Sequence, residues 1–167
     1  MYFGKCGGCS AQHLDYELQK NNKRKVVARI AKLKEEEILV FSGQPYHYRN
    51  RMDFVFSQAG IGLREKDRWE RTINIDHCEI SNEKLNALLT EVKEFFKTNM
   101  TDASKVDFFD VKRKTGTLRY AVIRTPKDDS SISFVLNQDS NKLAEAFDLI
   151  KKFARTTTAK NVVATYV

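Results

Sequence analysis

The sequence predicts an α+β domain with a mainly antiparallel sheet and flanking helices, and three observations support this fold class. Segments in which apolar and polar residues alternate, as in strands, lie between segments with apolar residues at helical spacing. Turn-forming residues such as Asp67 and Thr115-Gly116 separate neighbouring strand-like segments, which favours hairpins. The 167 residues, 41% of them hydrophobic, suffice for one packed core.

The first predicted helix begins after Asp15 and runs to about Lys34. Asp15 is a suitable N-cap, and Glu17 in the first turn opposes the positive end of the helix. An apolar stripe at helical spacing is formed by Leu18, Val26, Ile30 and Leu33. The opposite face is cationic, with seven basic residues and no acid between Lys20 and Lys34. Such a face is either solvated or in contact with RNA.

A three-stranded meander is predicted to follow. Residues 48–56 alternate strictly, with Tyr48, Met52 and Phe54 on one face and Arg49 and Arg51 on the other. The segments 61–64 and 69–75 return after turns at 57–60 and 67–68. Tyr48 shares a face with apolar residues and is expected to pack in the core, as is Trp69.

The remaining elements continue the α+β order. Ser81 is the expected N-cap of a second helix, whose apolar stripe comprises Leu85, Leu88, Leu89, Val92, Phe95 and Phe96. Strands are predicted at 106–112, 118–124 and 131–136, with a hairpin turn at Thr115-Gly116 and another turn at 126–129. A third helix at 141–153 and a last strand at 161–167 complete the pattern.

Charge and composition narrow the function classes. The formal net charge is +7, with 29 Lys and Arg against 22 Asp and Glu, which favours a polyanion such as RNA, DNA or a membrane surface as partner. Several basic patches separated along the chain suit a nucleic-acid track better than one basic tail does. We expect a cytoplasmic protein, since the sequence has neither a long apolar run nor the features of a signal peptide.

Three cysteines point to a metal site. Cys6-Gly7-Gly8-Cys9 lies near the start, and Cys78 follows much later. Two thiolates separated by two residues can bind one metal centre, and the intervening glycines allow the turn that this requires. Zinc and iron–sulfur sites usually take four ligands, so a fourth would be His77, His13, a solvent or substrate atom, or a cysteine that this chain lacks.

Ordered motif blocks resemble one family. Cys6-Gly7-Gly8-Cys9 is followed by Gln12-His13, then by Tyr48-Arg49-Asn50-Arg51, Gly62-Leu63-Arg64, Cys78, Gly116-Thr117-Leu118-Arg119 and Val122-Ile123-Arg124. This order is similar to that of the iron–sulfur RNA (uracil-5-)-methyltransferases, which methylate C5 of uridine in ribosomal or transfer RNA. The resemblance covers nearly the whole chain.

The resemblance implies that Cys6, Cys9 and Cys78 are three of four ligands of a [4Fe-4S] cluster. The family's first cysteine would lie one residue before Met1, so we expect a chain truncated there. The family's cofactor and catalytic motifs lie beyond the end of this chain, so no catalytic residue or S-adenosylmethionine site is expected within it. The expected division is a cluster loop and basic helix at 1–40 and a central α+β RNA-recognition domain at 41–167.

RNA contacts are expected from cations, which neutralise phosphates, and from aromatic residues, which stack on bases. The candidates are Arg49, Arg51, Arg64, Lys112, Arg113, Arg119 and Arg124, with His47, Tyr48 and Tyr120 nearby. The leading hypothesis is a fragment of an S-adenosylmethionine-dependent RNA uracil-C5 methyltransferase that is inactive alone. Its alternative is a free-standing metal-binding RNA-binding module. An electron-transfer or radical enzyme is disfavoured, since the sequence has neither the CxxxCxxC arrangement of radical enzymes nor the denser cysteine runs of ferredoxins.

Overall fold

A six-stranded sheet forms the centre of the computed structural model, which describes residues 2–100 and 106–167. The strands are β1 (Arg51–Ser57), β2 (Gly60–Glu65), β3 (Arg68–Asn74), β4 (Leu118–Arg124), β5 (Ser131–Leu136) and β6 (Asn161–Tyr166). The helices are α1 (Tyr16–Ala31), α2 (Glu83–Asn99) and α3 (Leu143–Ala154), with a 3-10 turn at Glu35–Glu37. No helix in this described part is long and apolar enough to cross a membrane.

The predicted α+β class with a mainly antiparallel sheet is confirmed. The strand order is β3-β2-β1-β4-β5-β6, and every neighbouring pair is antiparallel except β5 and β6. Strands β5 and β6 run parallel because α3 carries the chain back between them, as parallel neighbours require. The predicted meander of β1, β2 and β3 occupies one side of this sheet.

The core lies on one face of the sheet, beneath α2 and α3. Its aromatic centre is a cluster in which Phe56, Phe96, Phe134 and Phe153 are all fully buried. Ring centroids within it lie 5.0 Å apart for Phe56 and Phe96 and 5.4 Å apart for Phe134 and Phe153. Burying such rings stabilises the fold by about 2 to 3 kcal/mol each, so this cluster fixes α2 and α3 on the sheet.

The other face of the sheet has no helical layer in the described ranges. Arg51, Asp53 and Val163 point away from the core and are exposed, whereas their sequence neighbours Met52, Phe54 and Val162 contact it. This alternation follows from the period of two along a strand. We call this surface the open face.

The predicted helix α1 forms, but its apolar stripe of Leu18, Val26, Ile30 and Leu33 is exposed. Asp15 caps α1 as expected, accepting the Glu17 and Leu18 N–H groups. However, Ala28 is the buried residue of this helix, and Ile30 is 74% exposed. The periodic pattern forms a helix, but no described element covers its apolar side. The helix ends at Ala31, because Lys32 adopts a left-handed conformation with φ of 56°.

Two aromatic residues expected in the core lie on the surface. Tyr48 is 62% exposed and Trp69 is 67% exposed. The strand starts only at Arg51, and His47 has a left-handed φ of 55°, so the alternation at Tyr48 does not continue into the sheet. Trp69 lies on β3, which is an edge strand and has fewer neighbours to cover it.

Two local predictions around α2 and β4 also need correction. The N-cap of α2 is Asn82, whose Oδ1 accepts the Leu85 N–H at 2.8 Å, and not Ser81, which is fully buried. Residues 106–112 form only isolated bridges, between Phe108 and Leu118 and between Asp110 and Thr115. The Asp110 carboxylate accepts two N–H groups from the following turn, which bends the chain out of a strand.

Candidate functional site

The three cysteines line one small cavity of about 20 Å³, room for roughly one water molecule. Leu63, Ile75 and Ile80 provide its apolar walls. Cys6 is buried, whereas Cys9 and Cys78 are half-buried. Residues far apart in the sequence therefore converge at one point, where β2 ends and the segment before α2 begins.

Backbone pairing with β2 holds the Cys6 loop in place. Cys6 bridges Glu65 in antiparallel fashion. The Gly7 N–H donates to the Arg64 carbonyl at 3.1 Å, and the Lys66 N–H donates to the Lys5 carbonyl at 2.7 Å. The backbone around Cys6 thus pairs with the end of β2, which fixes the position of the Cys6 loop relative to that strand.

Side chains from α2 and from the N-terminus hold the segment around Cys78. Asn86 accepts the Cys78 N–H at 2.9 Å and donates to the Cys78 carbonyl at 3.1 Å. The Tyr2 hydroxyl donates to the Asp76 carboxylate at 2.9 Å, and the Lys93 ammonium lies 2.7 Å from it. Hydrogen bonds from Lys93 and then Tyr2 hold the pKa of Asp76 below its usual range. These contacts tie both sides of the cavity together.

The thiols are close enough to interact electrostatically. Burial raises the pKa of the Cys9 thiol, and the neighbouring Cys78 and Cys6 raise it further, while Arg49 opposes them. Like-charged thiolates in one cavity repel each other, so a bound cation would stabilise the charged form. Arg49 thus lies beside the cysteine cavity.

The three cysteines are of the right chemical type for a metal site, because thiolates are ligands of zinc and of iron–sulfur clusters. In residues 2–100 and 106–167, however, no group of three or more His, Cys, Asp or Glu side chains has metal-holding geometry. The three thiols therefore share a cavity, but in the described residues they do not form a ready ligand set. Because a cavity of about 20 Å³ has room for roughly one water molecule, it would have to widen to accept a cluster.

Neither nearby histidine completes a ligand set in this arrangement. His77 lines the cavity, but its Nε2 atom lies 2.7 Å from a Glu79 carboxylate oxygen. The His13 ring lies against Phe3, with 5.4 Å between the ring centroids, and His13 does not line the cavity. Both rings therefore have partners other than the thiols.

The predicted RNA-binding cations lie in several places. Arg51 and Arg124 face each other on the open face. Arg64 and Lys112 line a cavity of about 440 Å³ between β2, β3 and the 108–112 segment. Arg113 lies near Asp110, 3.9 Å away, and the Arg119 guanidinium carbon lies 4.4 Å from the centre of the Phe109 ring. The structure thus joins only some of the candidates into one surface.

Sequence reasoning missed several residues of these sites. Arg71 and Phe109 line the same cavity as Arg64 and Lys112. Asn86 and Lys93 hold the segment around Cys78 from the polar side of α2. The signal for Asn86 and Lys93 was their spacing of seven residues, which places both on one helical face.

Comparisons with known proteins point to one kind of enzyme. No protein-family model matches the chain. A tRNA (uracil(54)-C(5))-methyltransferase of Pyrococcus abyssi is 34% identical over 138 residues, which are 81% of this chain and 32% of that protein. An uncharacterized RNA methyltransferase of Caldanaerobacter subterraneus is 28% identical over 99% of this chain and 38% of its own length.

A solved structure supports the same relationship. The crystal structure of Pyrococcus abyssi tRNA (uracil-54, C5)-methyltransferase in complex with S-adenosyl-L-homocysteine matches with a TM-score of 0.67 and 31% sequence identity. The match covers 80% of this chain and 32% of that one. The chain thus spans about a third of the length of the curated relatives it matches, and it is homologous to that part of RNA methyltransferases.

Proposed function

We propose that this chain is the cysteine-bearing and RNA-recognising part of an S-adenosylmethionine-dependent RNA uracil-C5 methyltransferase. The homology to RNA methyltransferases over four fifths of the chain supports this proposal. The proposed metal binding rests on one observation, which is that Cys6, Cys9 and Cys78 line the same cavity. In this proposal residues 1–40 form the cluster loop and basic helix, and residues 41–167 form the RNA-recognition domain.

The three thiols would hold three corners of a [4Fe-4S] cluster. When bound, such a group would supply structural cross-linking by joining the Cys6 loop to the Cys78 segment. Closing a long loop in this way restricts the unfolded chain more than the folded one. The apolar walls formed by Leu63, Ile75 and Ile80 would exclude water from the thiolates.

Methyl transfer would need groups outside this chain. Addition to C6 of uracil requires a free cysteine thiolate as nucleophile. The three cysteines of this sequence all line the cavity described above, and we assign them to metal binding. We therefore propose that the chain binds RNA and is not catalytic by itself.

RNA recognition would come from the candidate cations Arg49, Arg51, Arg64, Lys112, Arg113, Arg119 and Arg124. Guanidinium groups suit phosphate, because their planar donors can bind two oxygens at once. The net charge of +7 favours the approach of a polyanion. Ribosomal or transfer RNA is the proposed partner, and its uridine-bearing loops offer the unpaired bases that proteins read.

A titration of the purified chain with a fluorescein-labelled uridine-loop RNA hairpin tests this function. Fluorescence anisotropy at several salt concentrations is expected to show binding that weakens as salt rises. The slope of log K against log salt is expected to change by about −0.7 for each single-stranded phosphate neutralised. An absence of binding at low salt, or an affinity that salt does not change, would contradict the proposed function.

A further inference from the structure

Helix α1 turns its apolar side away from the rest of the fold. Ala28 is its buried residue, and Arg24 and Lys20, which lie on the same side of the helix, are half-buried. Val26 and Ile30 each lie two positions from Ala28, which places them about 160° around the helix from it. The helix therefore packs through a basic row, and its apolar residues Val26 and Ile30 are exposed to solvent.

Further apolar side chains extend this exposed side. The Tyr16 hydroxyl donates to the Gly43 carbonyl at 3.0 Å, so the segment after α1 returns to the start of the helix. Leu39 and Phe41 lie on this segment and are 79% and 93% exposed. We call the α1 surface the set of large apolar residues here that are each at least 45% exposed, which are Leu18, Val26, Val27, Ile30, Leu33, Leu39 and Phe41. Large exposed apolar surfaces on soluble proteins mark sites of interaction.

The charges around the α1 surface favour a protein partner over a polyanion. The exposed cations are Lys23, Lys25, Arg29, Lys32 and Lys34, and the exposed carboxylates are Glu17, Glu35, Glu36 and Glu37. These charges nearly balance, whereas binding to an RNA backbone or an anionic lipid surface needs an excess of cations. Protein interfaces have an apolar centre and a polar, solvated rim, which is the arrangement found here.

The lengths of the relatives indicate which protein surface this is. The match to the uncharacterized RNA methyltransferase of Caldanaerobacter subterraneus covers 99% of this chain, a share that includes the α1 surface, and only 38% of that relative. Most of such a relative is therefore additional polypeptide, and the proposed function places the methyl-transfer groups there. Parts of one enzyme pack through faces that are apolar and exposed when each part is considered alone.

We infer that the α1 surface docks the methyl-transferring part of the enzyme, an inference that rests on the proposed function. The apolar side chains of α1 enter an apolar groove of that part, and the surrounding lysines and glutamates remain at the solvated rim. Because α1 begins a few residues after Cys9, this docking also connects the cysteine cavity to the methyl-transferring part.

Ile30→Glu places a carboxylate in the α1 surface and is tested in two settings. In the isolated chain its Tm is expected to change by less than about 2 °C, because Ile30 is 74% exposed. The second setting is a chimera in which this chain replaces the matching third of the Pyrococcus abyssi tRNA (uracil(54)-C(5))-methyltransferase. There the substitution is expected to lower Tm by about 3 to 6 °C, because it buries an unpaired charge.

Asn21→Glu is the matched control, because it adds the same carboxylate at an exposed position on the opposite side of α1. It is expected to shift Tm by less than about 2 °C in both settings. Amide hydrogen exchange of α1 is expected to be at least about 10-fold slower in the chimera than in the isolated chain, whereas α3 keeps its rate. Equal α1 exchange in the two proteins, equal Tm of the Ile30→Glu and Asn21→Glu chimeras, or a chimera that does not fold would overturn the inference.

Other occupants of the α1 surface would give distinct results. A dimer of the isolated chain in analytical ultracentrifugation that Ile30→Glu dissociates would assign this surface to a second copy. Wild-type chain that sediments with phosphatidylcholine–phosphatidylserine vesicles, or hairpin binding that weakens in Ile30→Glu but not in Asn21→Glu, would assign it to a membrane or to RNA. Each of these results would overturn the inference. The proposed function is judged separately, because it requires the isolated wild-type chain to bind the uridine-loop hairpin whatever the chimera does.

Discussion

Replacing Gly116 by alanine is expected to lower the free energy of unfolding by about 3 to 5 kcal/mol. Gly116 has φ of +101°, a conformation that side chains with a Cβ atom rarely adopt. An added Cβ would lie 2.0 Å from the Phe108 carbonyl oxygen and 2.9 Å from the Phe109 Cα, and both are backbone atoms. The turn would have to open, although Asn137 donates to the Gly116 carbonyl at 2.9 Å and holds it.

Urea unfolding followed by circular dichroism measures this effect. The matched control is Gly43→Ala, because a Cβ there meets no atom within 4 Å and its φ is not positive. We expect the control to stay within about 0.5 kcal/mol of the wild type. Equal unfolding midpoints for the two variants would show that the 108–118 hairpin is not packed as described.

Phe134→Ala is expected to cost about 3 to 5 kcal/mol of stability, since it removes a large side chain from a filled core. Phe134 is fully buried on β5, and its ring centroid lies 5.3 Å from that of Phe96 on α2 and 5.4 Å from that of Phe153 on α3. The resulting cavity would touch the sheet and both covering helices at once, so it cannot be filled by moving one element.

The same urea experiment tests this variant against Phe41→Ala. Phe41 is 93% exposed, so its loss is expected to change stability by less than about 0.5 kcal/mol. Phe134→Leu is expected to recover part of the loss, because it retains most of the apolar volume. A Phe134→Ala protein as stable as the Phe41→Ala protein would contradict the assignment of this face as the core.

Local sequence pattern predicted the strands with clear alternation. The predicted bounds of β4 and β5 are those of the structure, and the apolar stripe of α2 faces the core. Helix α1 shows the limit of such patterns. Its residues have helical spacing, yet Ile30 is exposed, because spacing shows that a helix has an apolar side but not that a partner covers it.

Contacts between distant residues could not be predicted from local pattern. The pairing of Arg51 with Arg124 depends on β4 joining β1 rather than following β3, which no short-range signal specifies. The 106–112 segment alternates enough to suggest a strand, but hydrogen bonds from the Lys112 and Arg113 N–H groups to Asp110 fold it into a turn. The grouping of Cys78 with Cys6 and Cys9 was expected from residue type and from the family resemblance, because no local pattern connects positions so far apart in the sequence.

Iron and sulfide content after anaerobic reconstitution, with a small thiol available as fourth ligand, tests the cysteine assignment most directly. We predict about four iron and four sulfide per wild-type chain with broad absorbance at roughly 400 nm, and a loss of at least about half of the iron in Cys78→Ser. Ala87→Ser on α2 is the control and should bind as much iron as the wild type. Equal iron in Cys78→Ser and wild type, or zinc uptake with no iron, would contradict the assignment.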